Sequence, residues 1–261
     1  MNTTNLMGPG FMGTTMPGMS PINTTLAPAP MPMMCLEWVV LDIETEGGDP
    51  NQVWEWVRRN WWPNEDHKPE TMAKRLVEAV EKKREKLALL DSAEIVMVQV
   101  KTSAGGVFVF HAFEDQSLSA PGLVSCGDEA ALLRSVNQWL DMNCGEGTTI
   151  VGWNINGFDL PRLRLRTAKA GLRVSRTLTG MCGVLDLMRE YGRNWSVERG
   201  EFIALGDALE ALGMENHKKE VNGAMVGELL EAGNYARLIE YGITDVTQEA
   251  AVFLKMTGQA G

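Results

Sequence analysis

From position 38 the chain reads WVVLDIETE: four apolar residues, an aspartate, an isoleucine, and then a glutamate. A short apolar run of this kind, closed by Gly47-Gly48, reads as a buried strand. Two acids at the end of such a strand are out of place unless something compensates their charge. Further on, EIVMVQVK (94–101) and GVFVFHA (106–112) are apolar and β-branched runs joined by a turn at Ser103-Ala104-Gly105, and they predict two more strands. TTIVGW (148–153) predicts another, ending where a helix begins near Phe158.

Helical spacing dominates elsewhere. Residues 70–90 predict a helix whose partial apolar face carries Leu76, Val80, Leu87 and Leu90, with Lys82, Lys83, Arg84 and Lys86 near its end. Residues 128–142 place Leu132, Leu133, Val136, Trp139 and Leu140 on one face, with Asp128 as N-cap. Segments around 184–192, 204–212, 223–232 and 235–257 also read as helical; in the last, Ile239, Ile243, Val246, Ala250 and Phe253 make the core stripe. An early hairpin-type sheet, a crossover helix and further strands predict an α/β fold with a mixed central sheet flanked by helices.

Residues 1–36 break this patterning. They carry no charge and include six prolines and eight methionines, without the basic and apolar regions of a signal peptide. They read as a disordered Met/Gly/Pro-rich tail. The folded domain spans 37–257, with an insertion at about 49–90 that holds Trp54, Trp56, Trp61 and Trp62. Those tryptophans suit either base stacking or a small core of the insertion itself. The net charge of −10 argues against a broad duplex-binding face, but not against a grip on one nucleic-acid end. Four cysteines (35, 126, 144 and 182) show no CxxC spacing, so free thiols in a reducing cytoplasm are expected. No apolar run approaches the ~18 residues of a membrane-spanning helix.

The chemistry lies in three places: Asp42-x-Glu44; the run WNINGFD at 153–159; and Tyr241-x-x-x-Asp245. Strand alternation puts Asp42 and Glu44 on one face. Asp159 falls just beyond a strand end, where open α/β sheets build sites. Tyr241 and Asp245 are i and i+4, neighbours on one helix face and off its apolar stripe. Acids this close repel unless a cation lies between them, and hard divalent cations take carboxylate oxygens. Four acids and a phenol from three separated segments suit two-metal phosphoryl chemistry. The basic run Arg162, Arg164, Arg166, Lys169, Arg173 and Arg176 could meet phosphates or form a solvated helix face, and Lys218-Lys219 reads as an exposed loop.

On these residues the sequence resembles the tyrosine subgroup of the DEDD 3′–5′ exonucleases, in particular the proofreading domain of family B DNA polymerases. Its acid-x-acid motif is matched by LDIET at 41–45, its Asn-x-x-x-Phe-Asp motif by Asn154, Phe158 and Asp159, and its Tyr-x-x-x-Asp motif by Tyr241 and Asp245. LDLM at 185–188 and the stretch 205–221 also resemble the family's intervening segments. The resemblance covers roughly 37–256 and implies a ribonuclease H-like fold. It implies two divalent cations, Mg²⁺ or Mn²⁺, held by Asp42, Glu44, Asp159 and Asp245. It further implies Tyr241 at the attacking water and Asn154 and Phe158 around the 3′-terminal nucleotide. The substrate implied is a single-stranded or frayed 3′ end, DNA in preference to RNA, with a polymerase or other replication or repair protein as partner. The location implied is the cytoplasm, bacterial or that of a host. An exoribonuclease and a non-catalytic nucleic-acid-binding module are the alternatives.

Overall fold

In the computed structural model the described residues are 36–47, 57, 69–84, 92–113, 119–196, 202–217 and 225–259. All of them fall in one compact unit within Met33–Gly261. The tail reading for 1–35, the four insertion tryptophans, Leu87, Leu90 and Lys218-Lys219 lie outside the described residues. Leu36, assigned to the tail by composition, is buried in the core, and its carbonyl accepts a hydrogen bond from Thr148 Oγ1 at 2.7 Å.

Six strands form one mixed sheet: β1 (Trp38–Glu46), β2 (Glu94–Thr102), β3 (Val107–His111), β4 (Leu123–Ser125), β5 (Thr149–Gly152) and β6 (Gly183–Asp186). Their order across the sheet is β4-β3-β2-β1-β5-β6. β2 runs antiparallel to β1 and to β3, whereas β5 is parallel to β1 and β6 to β5. β1 is therefore central, and its apolar sequence follows from burial on both faces: Val39, Val40 and Leu41 are completely inaccessible. With the covering helices this is an α/β fold with a mixed central sheet, as the strand and helix patterning led one to expect, and it is consistent with the ribonuclease H-like fold that the resemblance implied.

The helices are α1 (Pro69–Arg84), α2 (Glu129–Asn143), α3 (Asp159–Lys169), α4 (Leu187–Asn194), α5 (Leu205–Ala211), α6 (Val226–Glu231) and α7 (Tyr235–Met256). Two layers sandwich the sheet. On one face Val39, Leu41, Ile43, Val98 and Val100 pack with Leu132, Leu133, Val136 and Leu140 of α2 and with Leu160 and Leu163 of α3. On the other, Val40 and Val151 pack with Val246, Ala250 and Phe253 of α7, and Met97 and Val109 with Leu229 of α6 and Leu238 and Tyr241 of α7. Val57 and Val80 bury against each other beside Leu76 and Ala79, a small satellite core within the insertion. Among the described residues no helix is long and apolar enough to cross a membrane.

The structure departs from the pattern at three points. The stretch read as a helix from 184 begins as β6 and becomes helical only at Leu187, because Val184 and Leu185 find a ladder partner in β5. β4 was not anticipated: its three residues are too few to show a period, and it exists by pairing with β3. In α7, Ile243 is exposed rather than part of the core stripe, and the buried face instead takes in Tyr241, Gly242 and Asp245.

One ion pair ties the layers together. Arg166 of α3 engages Glu129 at the start of α2 through both Nε, at 2.7 Å, and Nη2, and it also approaches Glu94 of β2. Glu129 in turn accepts the Ile95 N–H at 2.7 Å. Both side chains of the Arg166–Glu129 pair are largely buried, so neither charge has water to fall back on. Glu129→Ala is expected to lower the unfolding free energy by about 2–3 kcal/mol, toward the low end for a broken buried pair, as read by urea denaturation.

Candidate metal centre

The site grows from one asymmetry in β1. Its face toward α7 is apolar at Val40 and becomes acidic at Asp42 and Glu44. The facing side of α7 does the same in reverse order, apolar at Phe253, Ala250 and Val246 and polar at Asp245 and Tyr241. Packing of the apolar halves brings the polar halves together. A register shift in the β1–β2 ladder between Glu44 and Thr45 interrupts the pairing just past the acids, before it resumes at Thr45–Ile95, and such irregularities re-aim side chains beside sites.

The outcome is a cluster in which Asp42, Glu44 and Asp245 each offer a carboxylate oxygen, all within 4.8 Å of one another. Glu44 and Asp245 are buried and Asp42 is half-buried. Two ionised groups at ~4 Å repel by about 4 kcal/mol even at an effective dielectric near 20, so three together are costly without a cation. The donors are all carboxylate oxygens, a set that fits a hard divalent cation.

Tyr241 leans into the same cluster. Burial first, and then the charges of Glu44, Asp245 and Asp42, push its phenol far above its ordinary range; its O–H donates to the Asp245 carboxylate. The phenol thus stays neutral, a donor among acceptors.

Asp159 reaches the cluster's edge by another route. β5 pairs with β1 only from Trp38 to Val40 and leaves the sheet at Gly152, where a Cβ would meet the Leu41 carbonyl at 2.9 Å and the Ile155 side chain at 2.8 Å. β1 continues past it, and the next inward-facing ladder donor, Ile43 N–H, is taken by Asp159 Oδ1 at 3.2 Å. Burial, with the charges of Asp42 and Asp186 adding, raises the Asp159 carboxyl well above the usual range. Asp159 therefore stands beside Asp42 without belonging to the three-carboxylate cluster.

The turn between β5 and α3 gives Asn154 and Phe158 their places. Asn154 takes the left-handed conformation (φ 60°), which asparagine tolerates better than most residues, and its carbonyl accepts from Gly157 and Phe158 N–H at 2.9 and 3.0 Å. Phe158, half-buried, stands at the N-cap position of α3 without a side-chain cap bond, and the Arg162 guanidinium sits 5.3 Å from its ring centroid. Both residues belong to the turn that leads into Asp159, and neither is among the three clustered carboxylates. The basic run is mostly spoken for: Arg162 is buried, Arg164 donates to the Leu178 carbonyl, Arg166 is held by Glu129, and Arg173 lies near Asp141.

Sequence reasoning missed two residues here. Asp186 accepts Asn156 N–H at 3.1 Å and caps α4 through Arg189 N–H at 3.3 Å, so it braces the turn that aims Asp159. An Asp just before a helix is an N-cap signal, hidden here by reading 184–192 as one helix. Gln99 of β2 lies directly opposite Asp42 in the ladder and is fully buried. Nothing in the linear pattern marked it, because its significance depends on register.

No protein-family model matches the sequence, and no curated protein matches it. Among solved structures the fold is similar to that of the family B DNA polymerase from the hyperthermophilic archaeon Pyrobaculum calidifontis, at 18% identity and a TM-score of 0.52 over 84% of this chain. The similarity takes in 24% of that polymerase, so this chain corresponds to about a quarter of its length. At this identity the likeness establishes the fold.

Removing the Asp186 carboxylate should loosen both the α4 cap and the turn at Asn156. Asp186→Ala is expected to cost about 1–2 kcal/mol of stability in urea denaturation with EDTA present, the size of a lost cap.

Proposed function

We propose that this chain is a metal-dependent 3′–5′ exonuclease that hydrolyses the terminal phosphodiester of single-stranded or frayed DNA and releases nucleoside 5′-monophosphates. The observation that carries the reading is the convergence of Asp42, Glu44 and Asp245, with Tyr241 upon them, from two segments that had been singled out by sequence alone.

Asp42, Glu44 and Asp245 would hold one divalent cation, Mg²⁺ or Mn²⁺, and Asp42 with Asp159 a second. Cations so held would supply positive charge to the attacking water and to the departing 3′ oxygen. The protein supplies the rest. β1, buried on both faces, fixes Asp42 and Glu44 so that no reorganisation is required at the moment of reaction. Tyr241, kept neutral, offers an O–H to orient the nucleophilic water or a phosphate oxygen. Asn154 and Phe158 line the entrance beside Asp159, where a terminal nucleotide would sit against the Phe158 ring. With most of the nearby arginines engaged internally and a net charge of −10, the grip is on the end of a strand rather than along a duplex. The solved neighbour is a DNA polymerase, which favours DNA over RNA and a replication or repair protein as partner.

The test is digestion of 3′-labelled and 5′-labelled single strands, DNA and RNA, with and without EDTA. The 3′ label is expected to leave first, from DNA, only with metal. Asp42→Ala and Asp245→Ala are expected to abolish degradation while remaining folded, as read by a cooperative melt in EDTA. Wild-type protein should gain about 2.7 kcal/mol of stability at a cation concentration 100 times its dissociation constant, and both variants should lose that gain. Full activity in either variant would sink the mechanism.

A further inference from the structure

Gln99 is completely inaccessible, and neither its Oε1 nor its Nε2 has a hydrogen-bond partner. A buried amide in that state carries the desolvation penalty of both its polar atoms uncompensated. Its position is specific. Asp42 and Gln99 face each other directly across the β1–β2 ladder, so their side chains leave the same face of the sheet with Cβ atoms about 5 Å apart. Above them, α7 comes down so closely at Gly242 that a Cβ there would lie 2.1 Å from Gln99 Nε2 and 2.7 Å from both Cγ and Cδ. Gly242 stands between Tyr241 and Asp245, the two residues that α7 contributes to the cluster. The amide thus fills a notch in the helix at the height of the carboxylates, bordered by Asp42 on one side and by the turn carrying Asp245 on the other.

We propose that Gln99 is a positioning residue for the cation site: its Nε2 donates to the Asp42 carboxylate once Asp42 closes on a cation, and its side chain sets the spacing between β1 and α7. This rests on the reading of the cluster as a metal centre. The terminal torsion of glutamine is broad and roughly twofold, so the amide can turn from the Gly242 notch toward Asp42 without leaving its place. Gly242 is glycine because the amide occupies the room a side chain would need. Asp42 is the carboxylate that would serve both cations, and ligands of this kind are held by donors behind them.

The deciding measurement is Mn²⁺ binding, followed by electron paramagnetic resonance of the free ion, alongside melting in EDTA. Gln99→Met keeps the volume and removes the amide. It is expected to melt at or above the wild-type temperature, having lost two unsatisfied atoms, yet to bind Mn²⁺ at least about tenfold more weakly. An unchanged Mn²⁺ affinity in this variant overturns the proposal. Should Gln99→Met not fold, the pair Gly242→Ala and Gly242→Ala/Gln99→Ala decides. The single change is expected to destabilise, and the double to recover melting temperature but not Mn²⁺ affinity; recovery of both overturns the role. Mn²⁺ binding by wild type without hydrolysis overturns the exonuclease reading alone, equal affinity in the variants overturns this one alone, and absence of Mn²⁺ binding in wild type overturns both.

Discussion

Three carboxylates held within 4.8 Å of one another are the constraint around which this molecule is organised. Left to themselves they would move apart or take up protons. They stay together because each is attached to something that cannot yield. Asp42 and Glu44 belong to a central strand of the sheet, and Asp245 belongs to a helix whose next turns, at Val246, Ala250 and Phe253, are packed into the core. Burial of that apolar stripe, at roughly 25 cal/mol per Å², opposes the repulsion at its end. The cost of the cluster is thereby met by contacts a turn or two away.

The second organising feature is that β5 is short. By leaving the sheet at Gly152 it exposes the last stretch of β1 along one edge, and the chain returns with Asp159 to cover it. Hydrogen bonding that a longer strand would have supplied comes instead from a carboxylate. Asp186 fixes the turn between, and the Arg166–Glu129 pair fixes the far end of α3 against α2 and β2. Asp159 is consequently held at both ends of its helix, which is what a residue meant to meet Asp42 from outside the sheet requires.

Much of this was legible in the sequence, for identifiable reasons. Long periodic segments such as 129–143 and 235–256 announced themselves, as did the strands of β1 to β3, because their burial is one-sided or complete along their whole length. The acids stood out because they interrupt apolar runs, where a charge has no ordinary explanation. What could not be seen depended on pairing. β4 exists only through β3, β6 only through β5, and Gln99 carried no signal until the register set it against Asp42. Asp245 and Tyr241 were recognised as sharing a face, but that face was expected beside the core rather than within it. The difference came from Gly242, whose missing side chain lets α7 approach the sheet closely enough to bury them.

The cluster joins the first strand of the folded unit to its last helix, so it is made by some of the most distant contacts in the sequence. Distant contacts close late and slowly, because the intervening loop must be ordered before they return any stability. A partly folded chain, with the sheet formed but α7 undocked, would hold Asp42 and Glu44 without Asp245 or Tyr241. On the proposed reading, competence arrives only when α7 docks, and a chain with α7 still undocked would be silent toward a nearby strand end.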